Sequence, residues 1–146
     1  MGGQPVRVLL VDDSPGDVRL TLEAFRIANS GVRVNVATNG PDALAFLRRE
    51  GDYVDAPRPD LILLDLNLPA MGGSQVLASI KEDEGLRMIP TVILTTVEER
   101  SDIVKSYQLQ ANAYLVKPVQ LDAFESLIQS ISDFWVSQVQ LPHKSG

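Results

Sequence analysis

The chain has 146 residues, no cysteine, and 19 acidic against 13 basic residues, for a formal charge of −6. That length suits a single domain with a two-layer core, and the missing thiols exclude a disulfide framework, a thiolate metal site and a cysteine nucleophile. No Lys/Arg cluster forms a stripe that could neutralise phosphates, which argues against nucleic acid as a direct partner, and no apolar stretch is long enough to cross a membrane. The opening MGGQPVRV lacks a basic region followed by an apolar run, so no secretory signal is expected. The protein reads as soluble and cytoplasmic, one domain over 1–146, with 1–5 and 142–146 expected as flexible ends.

Taken in chain order, short apolar runs alternate with amphipathic segments. The first run, VRVLLV at 6–11, predicts a strand buried on both faces and delivers Asp12 and Asp13 at its end. Ser14, Pro15 and Asp17 then supply a cap, a first-turn proline and a third-position carboxylate, so a helix should begin there and end near NSG, 29–31. VRVNVA, 32–37, alternates instead: Arg33 and Asn35 sit between Val32, Val34 and Val36, as in a half-exposed strand near a sheet edge. Its exit, ATNG, carries nothing distinctive, and GDYVDAPRP, 51–59, reads as an ordinary if long loop.

LILLD, 61–65, is the third strand, and its apolar run leads straight into Asp65. The following LNLPAMGG must bend over the strand end, which suits Pro69, Gly72 and Gly73. TVILT, 91–95, delivers Thr95, and Thr96 with Glu99 resembles a capping box that opens a helix through about Tyr107. AYLV, 113–116, delivers Lys117. Leu121, Phe124, Leu127, Ile128, Ile131, Phe134 and Trp135 form an i, i+3, i+4 stripe that defines the last helix. Five strand and helix pairs predict an α/β domain built on a doubly wound, five-stranded parallel sheet.

In such a sheet, ligand sites form beyond the carboxyl ends of the strands, near the point where strand order reverses. Four of the five strand ends carry chemistry: Asp12 and Asp13, Asp65, Thr95 and Lys117. Each has an ordinary explanation alone, since aspartates before a helix are often capping or solvated, a threonine after a strand is often a cap, and Lys-Pro is often a turn. Together they are harder to dismiss. Three carboxylates within about 5 Å would repel by roughly 3 kcal/mol per pair at an effective dielectric near 20, so assembling them calls for a compensating cation. Lys117 can supply one charge and a divalent metal the rest. With oxygen donors only, Mg²⁺ is the natural choice.

LLVDDS, LILLDLNLPAMGG, VILTT and YLVKP resemble, in this order and at these strand ends, the receiver domain of two-component response regulators, over residues 6 to 138. The resemblance implies a flavodoxin-like (βα)5 fold with strand order 2-1-3-4-5. It implies a phosphoacceptor role for Asp65, modified by a sensor histidine kinase and switching a phosphorelay rather than turning over a substrate. It further implies that Asp13 ligates Mg²⁺ directly, Asp12 largely through water and Asn67 through its backbone carbonyl, that Thr95 hydrogen-bonds the phosphoryl group and that Lys117 pairs with it. An added dianion would draw the Thr95 hydroxyl inward and vacate space for Tyr114, whose alternative is plain core packing. The sequence departs from many receivers at Thr96, where a smaller residue is common, and Val97 offers no side chain to position an attacking water.

PRPDLILLDLNLP and the tail FWVSQVQLP are similar to the single-domain regulators paired with bacterial phytochrome kinases. Phe134 and Trp135 are adjacent on a helix and cannot both point inward equally. With Val139 they are assigned to a partner surface for a symmetric homodimer, whereas His143 reads as a solvated tail residue. The competing function is a Mg²⁺-dependent phosphohydrolase that forms an aspartyl phosphate. Such enzymes usually place a second aspartate two residues after the first as acid and base, where this chain has Asn67.

Overall fold

The computed structural model describes residues 7–28, 32–66, 68, 71–95, 113–116 and 126. Strands β1 (Arg7–Val11), β2 (Arg33–Ala37), β3 (Leu61–Asp65), β4 (Thr91–Thr95) and β5 (Ala113–Val116) form one sheet in the order β2-β1-β3-β4-β5, every pair parallel. All five fall on the predicted runs, the first two starting one residue later than the runs themselves.

Side chains alternate between two apolar layers, as the pleat requires. Val8 and Leu10 of β1, Leu61 and Leu63 of β3, and Val92 and Leu94 of β4 join Ala24 and Phe25 of helix α1 (Pro15–Ala28) in one layer. Leu9, Val11, Ile62, Leu64 and Ile93 join the other, beneath α2 (Gly40–Arg48) and α3 (Gly73–Glu82). Helices on both faces make the sheet doubly wound. Every residue of β3 is buried. Its position at the centre of the sheet explains the unbroken apolar run that the sequence shows there.

β2 is an edge strand among the described residues, and it is more exposed than simple alternation predicts: Val36 is 41% exposed. Its exit is not silent either. Asn39 caps α2, its side-chain oxygen accepting from the Asp42 N–H at 2.8 Å. The α1 start follows the predicted cap, with Ser14 Oγ accepting from the Asp17 N–H at 3.3 Å. The loop after α2 contains a 3₁₀ turn, Gly51–Tyr53, whose Tyr53 ring stacks at a tilt on Phe46 with centroids 5.6 Å apart. Through Tyr53 and Ala56 this loop packs against the core, while Gly51, Asp52, Val54, Asp55 and Arg58 stay exposed.

Among the described residues no helix is long and apolar enough to cross a membrane. The helices predicted after Thr96 and through the 121–135 stripe lie outside the described residues, as do Lys117, Asn67 and the dimer surface of Phe134, Trp135 and Val139.

Candidate functional site

The register brings the acidic residues together. β1 and β3 are adjacent and parallel, with Val11 opposite Leu64, so the next position on each strand is Asp12 beside Asp65. Carboxylate oxygens of Asp12, Asp13 and Asp65 all lie within 4.8 Å of one another. Asp12 and Asp65 are 0% and 3% exposed, and Asp13 is open to solvent.

Each acid is held by its own local structure. Asp12 is fixed twice, its N–H donating to the Ala37 carbonyl at 3.0 Å and its Oδ1 accepting from the Ser14 N–H at 3.0 Å. The second of these is the turn-forming bond that aspartate commonly makes with the amide two residues on. The ordinary explanation and the functional one therefore both apply to Asp12. Asp65 ends the fully buried β3, and Leu66 beyond it donates its N–H to the Leu94 carbonyl of β4 at 3.2 Å. Gly73, at the start of α3, donates back to the Leu66 carbonyl at 3.0 Å. Neither the Ala37 carbonyl nor the Gly73 amide has a side-chain signal that sequence reasoning could have found.

At these separations each pair of charged carboxylates repels by about 3 kcal/mol at an effective dielectric near 20, less for the pairs that include Asp13 because water screens it. Withdrawing Asp65 would drag Leu61 to Leu64 out of the core at about 1.5–3 kcal/mol per side chain. The strand therefore stays, and the charge has to be met in place. Three clustered oxygen donors, two of them buried, fit a hard divalent cation and offer nothing to a soft one.

Thr95 is the last residue of β4, at the same end of the sheet, paired in register with Val116 of β5. Lys117 follows Val116 directly in the chain, and Tyr114 pairs with Ile93 inside the β4–β5 ladder. The structure thus gathers the three aspartates and sets Thr95 on the neighbouring strand end. Gly72 is extended, with φ −64° and ψ 156°, a backbone conformation open to any residue. Gly73 matters through close approach, since a β carbon there would meet the Asp65 carbonyl oxygen and Leu66 Cα at 2.5 Å.

The model for the response regulator receiver domain matches residues 8–129. The response regulator Rcp1 of Synechocystis sp. is 42% identical over 138 residues, spanning 94% of this chain and 94% of its own length. The crystal structure of the phosphorylated cyanobacterial phytochrome response regulator RcpA superposes with a TM-score of 0.79 at 42% identity, covering 95% of this chain and 99% of that one. The Mn²⁺-bound form of Rcp1 superposes with a TM-score of 0.77, covering 94% and 99%. With the fold, the acidic strand ends and these matches in agreement, the chain belongs to the response regulator receiver domains, phosphoacceptors of two-component signalling.

Proposed function

We propose that Asp65 is the phosphoacceptor and that it works with Mg²⁺ held by Asp12, Asp13, Asp65 and the backbone carbonyl of Asn67. The observation that carries this is the placement of Asp65, 3% exposed at the end of a buried strand, within 4.8 Å of two further carboxylates. The cation, when bound, neutralises charge on the transferring phosphoryl group. An Asp65 carboxylate oxygen attacks phosphorus as the bond from phosphorus to the donor's imidazole nitrogen breaks. The nitrogen keeps that electron pair and takes up a proton, and Asp65 is left as an acyl phosphate. Thr95 donates its hydroxyl to the phosphoryl oxygens and Lys117 pairs with them. Tyr114 follows Thr95 as the second switch residue.

Mn²⁺ bound to the similar Rcp1 supports a divalent cation at the carboxylates. The donor is a sensor histidine kinase of the bacterial phytochrome kind in the cytoplasm, a reading supported by the similarity to RcpA. The chain acts as one receiver domain with flexible ends at 1–5 and 142–146, dimerises through Phe134, Trp135 and Val139, and signals by protein contacts rather than by turning over a substrate.

The experiment is acetyl phosphate with Mg²⁺, followed by intact mass. One phosphoryl group should be added to the wild-type protein and none to Asp65→Asn. Equal labelling of the two proteins removes Asp65 from the mechanism.

A further inference from the structure

We propose that Gly73 is a positioning residue for Asp65: α3 presses its first backbone atoms against the peptide that follows the phosphoacceptor, and only a residue without a β carbon permits that contact. The inference rests on the proposed role of Asp65. A β carbon at 73 would lie 2.5 Å from the Asp65 carbonyl oxygen, 2.5 Å from Leu66 Cα and 3.1 Å from the Asp65 carbonyl carbon. The first two distances are inside the 3.0 Å below which real β carbons essentially never approach another atom. All three neighbours are backbone, so no rotamer change can relieve the clash.

Nor can the surrounding elements retreat freely. On the far side of the same peptide, Leu66 donates to the Leu94 carbonyl, and Asp65 pairs in register with Leu94. α3 is anchored by Val76, Leu77 and Ile80, all 0% exposed. With α3 anchored on one side and β4 on the other, the push from a β carbon at 73 falls on the Asp65–Leu66 peptide between them, which carries the carboxylate clustered with Asp12 and Asp13. A displacement approaching 1 Å at a reacting group costs on the order of a hundredfold in rate.

Two other glycines separate positioning from stability. At Gly72 a β carbon would meet nothing within 4 Å. At Gly40 it would meet Val76 Cγ2 at 2.8 Å and Met71 Cβ and Sδ at 3.1 Å, side-chain atoms of α3 and of the loop before it and not the strand end. Gly40→Ala therefore reports destabilisation without a direct push on Asp65.

The test compares wild-type protein, Gly72→Ala, Gly40→Ala and Gly73→Ala in trimethylamine N-oxide, which favours the compact state. Folding is followed by circular dichroism, Mn²⁺ affinity by titration, and acetyl phosphate labelling at saturating Mg²⁺ by intact mass. Gly73→Ala is expected to fold, to bind Mn²⁺ at least about tenfold more weakly and to label roughly ten- to a hundredfold more slowly, while the other two variants stay within about twofold of wild type. Gly73→Ala within twofold of wild type overturns the proposal. So does a Gly40→Ala loss of equal size, or a Gly73→Ala chain that stays unfolded, since either would make the residue a folding requirement only. A wild-type protein that takes neither metal nor phosphoryl group would instead sink the assignment of Asp65, and this inference with it.

Discussion

Aspartate sits at both ends of the sheet and does opposite things there. At the amino end, Asp60 is paired with the chain: its Oδ2 accepts from the Arg7 N–H at 2.9 Å and its own N–H donates to the Arg7 carbonyl at 2.7 Å, which ties the start of β3 to the start of β1. At the carboxyl end, the same two strands finish in carboxylates set within 4.8 Å of one another. One end uses the acid as a backbone partner and gains register; the other gathers three carboxylates into one cluster. The difference teaches that residue type says little here, and that strand end and register decide what a carboxylate is for.

The comparison breaks most visibly with metal. Mg²⁺ at about a hundred times its dissociation constant should stabilise the wild-type protein by about 2.7 kcal/mol, on the order of 10 °C in Tm. Asp13→Asn should remove that response and, by relieving repulsion, raise the Tm of the metal-free protein by a few degrees at most, because Asp13 is exposed. Thermal melts with and without Mg²⁺ check both. An unchanged wild-type melt would mean that the carboxyl end is no more a cation site than the amino end.

Asp60→Ala should act in the opposite sense. Losing the bond from the Arg7 N–H is expected to cost about 1–2 kcal/mol in chemical denaturation, with the Mg²⁺ response intact. If that response falls too, the two ends are coupled through β1 and β3. The smallest effect belongs to an exposed pair. Arg26 hydrogen-bonds and attracts Glu23, holding the Glu23 carboxyl below its usual range, but both side chains are in water. A depressed carboxyl contributes stability above its ordinary pKa that is lost as pH falls through the lowered value. Glu23→Gln should nonetheless leave the melt unchanged at pH 7 and at pH 3, since such pairs are screened.

The strands were legible because burial on both faces removes polar alternation, so β3 and β4 appear as unbroken apolar runs, and the acids that end β1 and β3 stand out against them. The clustering of Asp12, Asp13 and Asp65 followed from that placement alone. What the sequence hid depends on backbone groups brought near by register. The Ala37 carbonyl that holds the Asp12 amide could belong to any residue type, and so could the carbonyl of Leu94 that receives the Leu66 amide. Gly72 and Gly73 look alike in sequence, yet one occupies open space and the other a contact that excludes a methyl group. The packing of Tyr53 within the 51–59 loop was hidden because its partner, Phe46, is met only once the chain beyond α2 has turned.

The burial of β3 bears on how a signal could leave the domain. An element with every side chain buried, laddered to β1 on one side and β4 on the other, belongs to the most cooperative part of the native state, and its amides should exchange with deuterium only through openings close to global unfolding. If Asp65 is the phosphoacceptor, the mark is written on an element that, among the described residues, is poorly able to change shape. The message has to be carried by faster-opening neighbours, so deuterium uptake should stay slow and unchanged in 61–65 on labelling and differ elsewhere. A shift confined to β3 would reverse that division between the element that stores the mark and the elements that report it.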